Sequence, residues 1–73
     1  MKKTEKIIID TEFIKLDNLL KLGGVAQTGG QAKIMVQNGE VKLNNEICVM
    51  RNKKIRNGDI VETDDKIIEV YNK

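Results

Sequence analysis

The sequence contains no histidine and only one cysteine among its 73 residues. The commonest general base at neutral pH and the commonest metal ligand are therefore both missing. The lone Cys48 cannot form a disulfide within the chain, and in a strand segment it is expected to pack rather than react. Asp64 and Asp65 are too few ligands for magnesium or calcium, so we interpret them as a turn. We predict that the protein is not an enzyme and has no metal site and no cofactor.

Aromatic residues and long apolar runs are also scarce. Phe13 and Tyr71 are the only aromatic side chains, whereas proteins that bind single strands base by base use several for stacking. This scarcity argues against a protein that reads single-stranded nucleic acid base by base. No run of about 18 apolar residues is present, which predicts no membrane-spanning helix. The isoleucines at 7–9 are too few for the core of a signal peptide, and we expect a cytoplasmic protein.

Acidic and basic residues nearly balance, with a net charge of +2, but they are unevenly distributed. Positions 42–56 contain a single acid, Glu46, and five basic residues: Lys42, Arg51, Lys53, Lys54 and Arg56. Positions 57–73 contain two lysines and five acids: Asp59, Glu62, Asp64, Asp65 and Glu69. Local clusters decide polyanion binding more than the total charge does. The middle of the chain is therefore the candidate surface for nucleic acid.

The hydrophobic pattern predicts a small α+β domain, with two helices and several strands. The first helix covers 16–22 and ends at Gly23-Gly24. The second opens at Thr28 and ends at Asn38-Gly39, with Ala32, Met35 and Val36 facing the core. A two-residue turn at Asn44-Asn45 predicts a hairpin after it. The predicted strands are 6–9, 40–43, 46–49, 59–63 and 66–71, joined by a connection at 11–14 and a loop at 50–57.

The second helix opens with the sequence Thr28-Gly29-Gly30-Gln31-Ala32-Lys33. Thr28 and Gln31 have the spacing of a capping box. Gly29 and Gly30 each cost about 1 kcal/mol relative to alanine, so propensity does not explain them. One interpretation is that bare backbone amides at the positive end of the helix bind a phosphate. The alternative is a tight contact between helices with no room for a β-carbon.

Two polar surfaces extend this candidate site. Lys33 and Gln37 lie on one face of the second helix, where they contact RNA or are simply solvated. The loop at 50–57 has one apolar anchor, Ile55, and four cations that either bind phosphates or form an ordinary solvated surface: Arg51, Lys53, Lys54 and Arg56. Lys15, Lys21 and Lys42 could widen the patch. We expect the start of the second helix and the loop to lie side by side.

The stretch 16–61 resembles the S-four RNA-binding domain, a family named for a small-subunit ribosomal protein. The pattern that carries the resemblance is Leu16-Asp17-x-x-Leu20, Gly23, Thr28-Gly29-Gly30-Gln31-Ala32-Lys33, Asn38-Gly39, Val41-x-Leu43-Asn44 and Gly58-Asp59-x-Val61. It looks most like the small stand-alone bacterial members of the YaaA/YbcJ type. Many members place arginines at the start of the second helix, where this chain has glycines.

The resemblance implies two packed helices, the alpha-L motif, against a small and mainly antiparallel sheet with a short N-terminal strand. It also implies an RNA-binding surface formed by the second helix and nearby sheet loops. Carried over by position, the RNA-binding residues would be Thr28, Gly29, Gly30, Gln31, Lys33, Gln37, Arg51, Lys53, Lys54 and Arg56.

We predict a single domain, 1–73, with the core motif at 16–61, that docks onto structured RNA without catalysis. Ribosomal RNA or transfer RNA is the expected partner, in association with the ribosome, and a monomer is favoured. A rival hypothesis is a protein-interaction adaptor that uses the basic loop or the sheet edge of the final strand, 66–71. DNA binding is a third, since phosphate contacts do not select the sugar.

Overall fold

The computed structural model describes residues 2–73 and contains two helices and seven strands. Both helices have nearly the predicted bounds. In chain order the elements are β1 (Lys3–Ile9), β2 (Ile14–Lys15), α1 (Leu16–Leu22), α2 (Gly29–Gln37), β3 (Lys42–Leu43), β4 (Glu46–Ile47), β5 (Lys54–Ile55), β6 (Ile60–Glu62) and β7 (Lys66–Asn72). The predicted α+β class is confirmed.

Five strands form the main sheet, in the order β1-β7-β6-β3-β4. The pairs β6–β7, β3–β6 and β3–β4 are antiparallel, and β1 runs parallel to β7. The prediction that the final strand offers a sheet edge is wrong, because β7 lies between β1 and β6. The N-terminal strand is also longer than predicted and begins at Lys3, because β7 provides a seven-residue partner for it.

The two helices and one face of the main sheet enclose the core. α1 buries Leu16, Leu19 and Leu20, and α2 buries Ala32 and Val36, as helical spacing predicted. Met35, also predicted to be buried, is half-buried at the margin. The strands complete the core with Ile7, Ile9, Ile55, Val61, Ile68 and Val70, and Val41, just before β3, is buried with them. On the outer face Ile8 stays 68% exposed because side chains alternate along a strand.

A second, two-stranded sheet joins segments that the sequence had predicted as a connection and a loop. β2 pairs antiparallel with β5, with Ile14 opposite Ile55 and Lys15 opposite Lys54. Ile55 is fully buried, which confirms its role as the apolar anchor. Strands of two residues have no periodicity of their own. Only the tertiary contact between these distant segments creates them.

The hairpin between β3 and β4 has the predicted turn. Asn44 and Asn45 have φ values of 51° and 73°, the left-handed geometry that such two-residue turns require. The strands are shorter than predicted, at two residues each, and β4 ends at Ile47. Beyond it the Cys48 amide still donates to the Val41 carbonyl at 3.0 Å. The chain then leaves the sheet at Val49, which is exposed.

Candidate nucleic-acid interface

The first turn of α2 is capped as its sequence predicted. Thr28 is extended, with φ −136° and ψ 164°, and its hydroxyl accepts a hydrogen bond from the Gln31 amide at 3.1 Å. The Gln31 side-chain oxygen accepts from the amide of Gln27, one residue before the cap, at 2.9 Å. This reciprocal pair fixes where the helix begins and which amides remain free.

Gly29 and Gly30 lie in this turn with open space around them. A β-carbon added to Gly29 would meet nothing within 4 Å, and one added to Gly30 would meet only the Thr28 hydroxyl at 3.9 Å. The alternative of a tight contact between helices is therefore wrong. Neither glycine has positive φ, so backbone geometry does not require them either. Gly23 is the crowded glycine, since its β-carbon would lie 2.7 Å from Ile68 Cδ1.

The amides of Gly29 and Gly30 have no hydrogen-bond acceptor within residues 2–73. Lys33 and Gln37, further along α2, are exposed. Neither side chain takes part in a hydrogen bond or ion pair with another described residue. One side of α2 thus presents two free amides, a cation and an amide side chain to solvent.

The basic loop, residues 50–57, is held by its backbone. The carbonyl of Lys53 accepts from the Leu16 amide at 2.9 Å, and that of Arg51 accepts from the Asp17 amide at 3.1 Å. Lys15, at the cap position of α1, provides no side-chain cap. Two carbonyls of the loop therefore satisfy the first amides of α1. The loop is therefore attached to α1 by backbone hydrogen bonds that leave its side chains uninvolved.

All four loop cations, Arg51, Lys53, Lys54 and Arg56, are exposed. None lies within 4.0 Å of a carboxylate in the part of the chain that the structure describes. Lys15 adds a fifth cation, since it lies directly opposite Lys54 in the small sheet. Like charges in that position repel one another. The cationic patch, defined as these five residues, is therefore more concentrated than the sequence indicated.

Phe13 supports this patch, a role that sequence reasoning missed. The Lys54 ammonium lies 4.8 Å from the centre of the Phe13 ring, and the Arg56 guanidinium lies 6.0 Å from it. Each such contact is worth about 0.5–1 kcal/mol when exposed. A lone aromatic residue in a predicted connection gave no signal of this contact, which depends on the pairing of β2 with β5.

A polar network ties the loop to the β3–β4 hairpin. The Asp59 carboxylate accepts from the Arg56 amide at 2.8 Å and from the Asn44 side chain at 3.2 Å. The Asn44 side-chain oxygen accepts from the Ile60 amide at 2.9 Å. Both ends of the Asn44 amide are thus occupied within the protein. These hydrogen bonds of Asn44 and Asp59 position the loop against the hairpin.

Two adjoining clefts lie between the loop and the hairpin, and Leu43, Glu46 and Lys53 line both. The cationic cleft, about 620 Å³, is completed by Asn44, Lys54, Arg56, Asn57 and Asp59. The apolar cleft, about 260 Å³, is completed by Ile47, Cys48, Val49 and Met50. Cys48 is half-buried there. Lys53 therefore lies where a cationic surface meets an apolar one.

The structure brings the four loop residues together but shows no direct contact between them and the start of α2. No hydrogen bond or ion pair within residues 2–73 joins Thr28–Lys33 to the basic loop. The opposite end of α2 is nearer the hairpin, since a β-carbon on Gly39 would lie 3.6 Å from Ile47 Cγ2. The nine residues of α2 span about 13 Å. That both surfaces act together stays a prediction.

Two lysines outside the cationic patch, Lys2 and Lys66, are paired with acceptors in the protein. Lys2 pairs with Glu62, and this hydrogen bond lowers the pKa of the Glu62 carboxyl. Lys66 reaches Glu5 at 3.2 Å and the Gly23 carbonyl at 2.7 Å.

Within residues 2–73, no group of three potential metal ligands occurs, and no helix is long and apolar enough to cross a membrane.

A sequence model described as S4 domain matches residues 7–71. The chain belongs to the S4 domain family. The S-four resemblance is thus confirmed, and the family is one of RNA-binding domains, which agrees with the prediction of a non-catalytic RNA-binding protein.

Two relatives support the same assignment. RlbA of Bacillus subtilis (strain 168), described as a probable ribosome maturation protein, is 46% identical over 56 residues, covering 77% of this chain and 79% of RlbA. The solution structure of YbcJ from E. coli, which reveals an alfaL motif involved in RNA-binding, has a TM-score of 0.67 and 28% sequence identity. That match covers 97% of this chain and 89% of YbcJ. The predicted alpha-L architecture is confirmed.

Proposed function

We propose that the protein docks onto folded ribosomal or transfer RNA in the cytoplasm and acts by binding rather than catalysis. The observation that carries this proposal is the cationic patch. Its exposed cations have no carboxylate partner among the described residues, yet the loop that carries most of them is fixed to α1 by two backbone hydrogen bonds. Ordered, unpaired cations are suited to phosphates at fixed positions.

The free amides of Gly29 and Gly30 supply a second contact with phosphate. Open space around both glycines lets an RNA backbone approach closely, and the positive end of the helix dipole favours an anion there. The description of RlbA as a ribosome maturation protein supports ribosomal RNA as the partner class. The alfaL motif of YbcJ, described as involved in RNA-binding, supports the use of the helices.

The direct test is charge reversal in the loop. We expect Lys53→Glu with Lys54→Glu to weaken binding to a structured RNA by at least about 100-fold, because two phosphate contacts become repulsive. The matched control reverses two exposed lysines of β1, the edge strand at the other end of the main sheet, Lys3 and Lys6. Gel shift and circular dichroism would report binding and folding. Equal effects of both double variants would contradict a localised interface.

Nucleic-acid competition separates the alternatives. Folded RNA should displace a labelled RNA at lower concentration than DNA of the same sequence and shape. If DNA competes equally well, the proposal of RNA selectivity fails. A partner that stays bound after ribonuclease treatment, and is lost with Lys53→Glu/Lys54→Glu, would favour the protein adaptor instead.

A further inference from the structure

We propose that the apolar cleft receives one unpaired nucleobase of the bound RNA while the neighbouring cationic cleft holds its phosphate. This proposal rests on the proposed function and assigns a role to a surface that phosphate docking does not use. Ile47, Val49 and Met50 are 62%, 58% and 62% exposed. They come from one short segment and line the same cleft. Clustered exposed apolar side chains mark a binding surface.

The position of the cleft identifies its occupant. Lys53 lines both clefts, so a ligand in the apolar cleft has a cation at its edge and Lys54 and Arg56 next to it. A nucleotide combines a flat face that packs on apolar side chains with a phosphate one sugar away. A wholly apolar partner would leave these cations unmatched. The junction of the two surfaces therefore fits a nucleotide.

The chemistry of the cleft also predicts how the base is held. No aromatic residue lines it, so the base packs against aliphatic and thioether groups rather than against a ring. Such packing contacts do not distinguish one nucleobase from another. It is compatible with a folded RNA that presents a bulged or looped-out base.

Glu46 is the residue of the apolar cleft that we expect to favour particular nucleobases through a hydrogen bond. It lines both clefts and is exposed, and no described cation pairs with it. A carboxylate accepts hydrogen bonds from exocyclic amino groups, such as the N4 amino group of cytosine. Uracil has no exocyclic amino group and offers the carboxylate only its ring N3–H. The cleft should therefore prefer cytosine, adenine or guanine to uracil at the unpaired position.

The test compares two RNA hairpins, one fully paired and one with a single unpaired 2-aminopurine. We expect the bulged hairpin to bind about five- to tenfold more tightly, with a change in 2-aminopurine fluorescence. Ile47→Ser should remove both effects while leaving binding to the paired hairpin intact. Ile8→Ser is the matched control, because Ile8 is a strand isoleucine of similar exposure, 68%, on β1 at the other edge of the sheet.

Base preference is tested with cytosine and uracil at the unpaired position. We expect tighter binding of the cytosine bulge, and loss of that preference in Glu46→Gln. Equal binding of the paired and bulged hairpins, unaffected by Ile47→Ser, would overturn the nucleobase proposal and leave the proposed function standing. Failure to bind either hairpin at low salt would overturn the proposed function itself. A dimer in sedimentation that Ile47→Ser dissolves would assign the cleft to self-association instead.

Discussion

Lysines of the main sheet and cations of the basic loop differ in what they pair with. Lys66 on β7 contacts Glu5 on the neighbouring strand β1, and Lys2, just before β1, contacts Glu62 on β6. The loop cations have no such partner within residues 2–73, although Asp59 and Glu46 are near. Asp59 instead accepts hydrogen bonds from a backbone amide and from Asn44. The nearby acid thus orders the loop without neutralising it.

This difference has a physical consequence. An exposed ion pair stabilises a fold by only about 0–1 kcal/mol, so the sheet lysines contribute little beyond solubility and local order. A cation left unpaired on an ordered backbone keeps its full charge for a partner and loses less freedom when it binds. The loop is therefore expected to matter for binding, whereas the sheet pairs are expected to matter little for binding or for stability.

The largest effect is expected where the loop is attached to the core. Ile55→Ala removes a fully buried side chain and should lower the free energy of unfolding by about 2–4 kcal/mol. Urea denaturation measures this loss. At a temperature where the variant is still folded, RNA affinity should also fall, because β5 carries Lys54. Full affinity in the folded variant would show that the loop does not need this attachment.

Removing positive charge without reversing it should change the salt dependence of binding. Arg51→Gln with Arg56→Gln is expected to make the log–log slope of affinity against salt less negative by about 1.4–1.8, since two phosphate contacts are lost. Filter binding at several salt concentrations measures the slope. Lys2→Gln with Lys66→Gln removes the same charge from the sheet. If it changed the slope equally, the contrast between loop and sheet would be wrong.

The start of α2 is a third region to compare with the loop and the sheet, because Gly29 and Gly30 have no side-chain charge. Gly29→Ala with Gly30→Ala should raise the free energy of unfolding by up to about 2 kcal/mol, since open space receives both methyl groups. RNA affinity should fall because the methyl groups obstruct close approach to the amides, while the salt slope stays near that of the unmodified protein. Thermal denaturation and filter binding test the two effects. Unchanged affinity would remove α2 from the interface.

The smallest effect concerns the Lys2–Glu62 pair. Its hydrogen bond lowers the pKa of the Glu62 carboxyl in the folded protein below the ordinary value of a glutamate. The stability it contributes is present above that value and is lost as pH falls through the folded pKa. Lys2→Met should flatten the pH dependence of the melting temperature below about pH 4.5, and RNA affinity at neutral pH should not change. A steeper acid transition would contradict this assignment.

The sequence predicted most of the fold because the helices carry strong local signals. Leucine spacing set α1 at Leu16–Leu22, and the Thr28–Gln31 spacing set the start of α2. The small sheet was missed because Ile14 and Ile55 pair across 40 intervening positions and each strand has two residues. The order of strands in the main sheet, with β7 inside, likewise depends on long-range pairing that periodicity does not encode.

The candidate site was predicted as a set of residues with one expected arrangement, the loop beside the start of α2, which stays a prediction. Charge clustering identified the loop cations, and turn propensity identified Asn44. Three features could be seen only in the three-dimensional structure. They are the contact of Phe13 with Lys54, the hydrogen bond between Asn44 and Asp59, and the apolar cleft. The first two join segments that are distant in the chain, and the cleft depends on how the chain leaves the sheet after β4, so no local pattern marks them. From the sequence, Lys15 was one of several lysines that could widen the patch. Its pairing with Lys54 in the small sheet locates it in the patch.

Because two carbonyls of the basic loop cap α1, hydrogen exchange at the start of α1 reports on opening of the loop. The amides of Leu16 and Asp17 are bonded to Lys53 and Arg51, so deuterium enters them only when that segment peels away or the whole molecule unfolds. Isotope exchange at two positions inside a helix thus records openings of a distant stretch of chain. A ligand that grips the cations should slow that exchange, even though it touches neither amide.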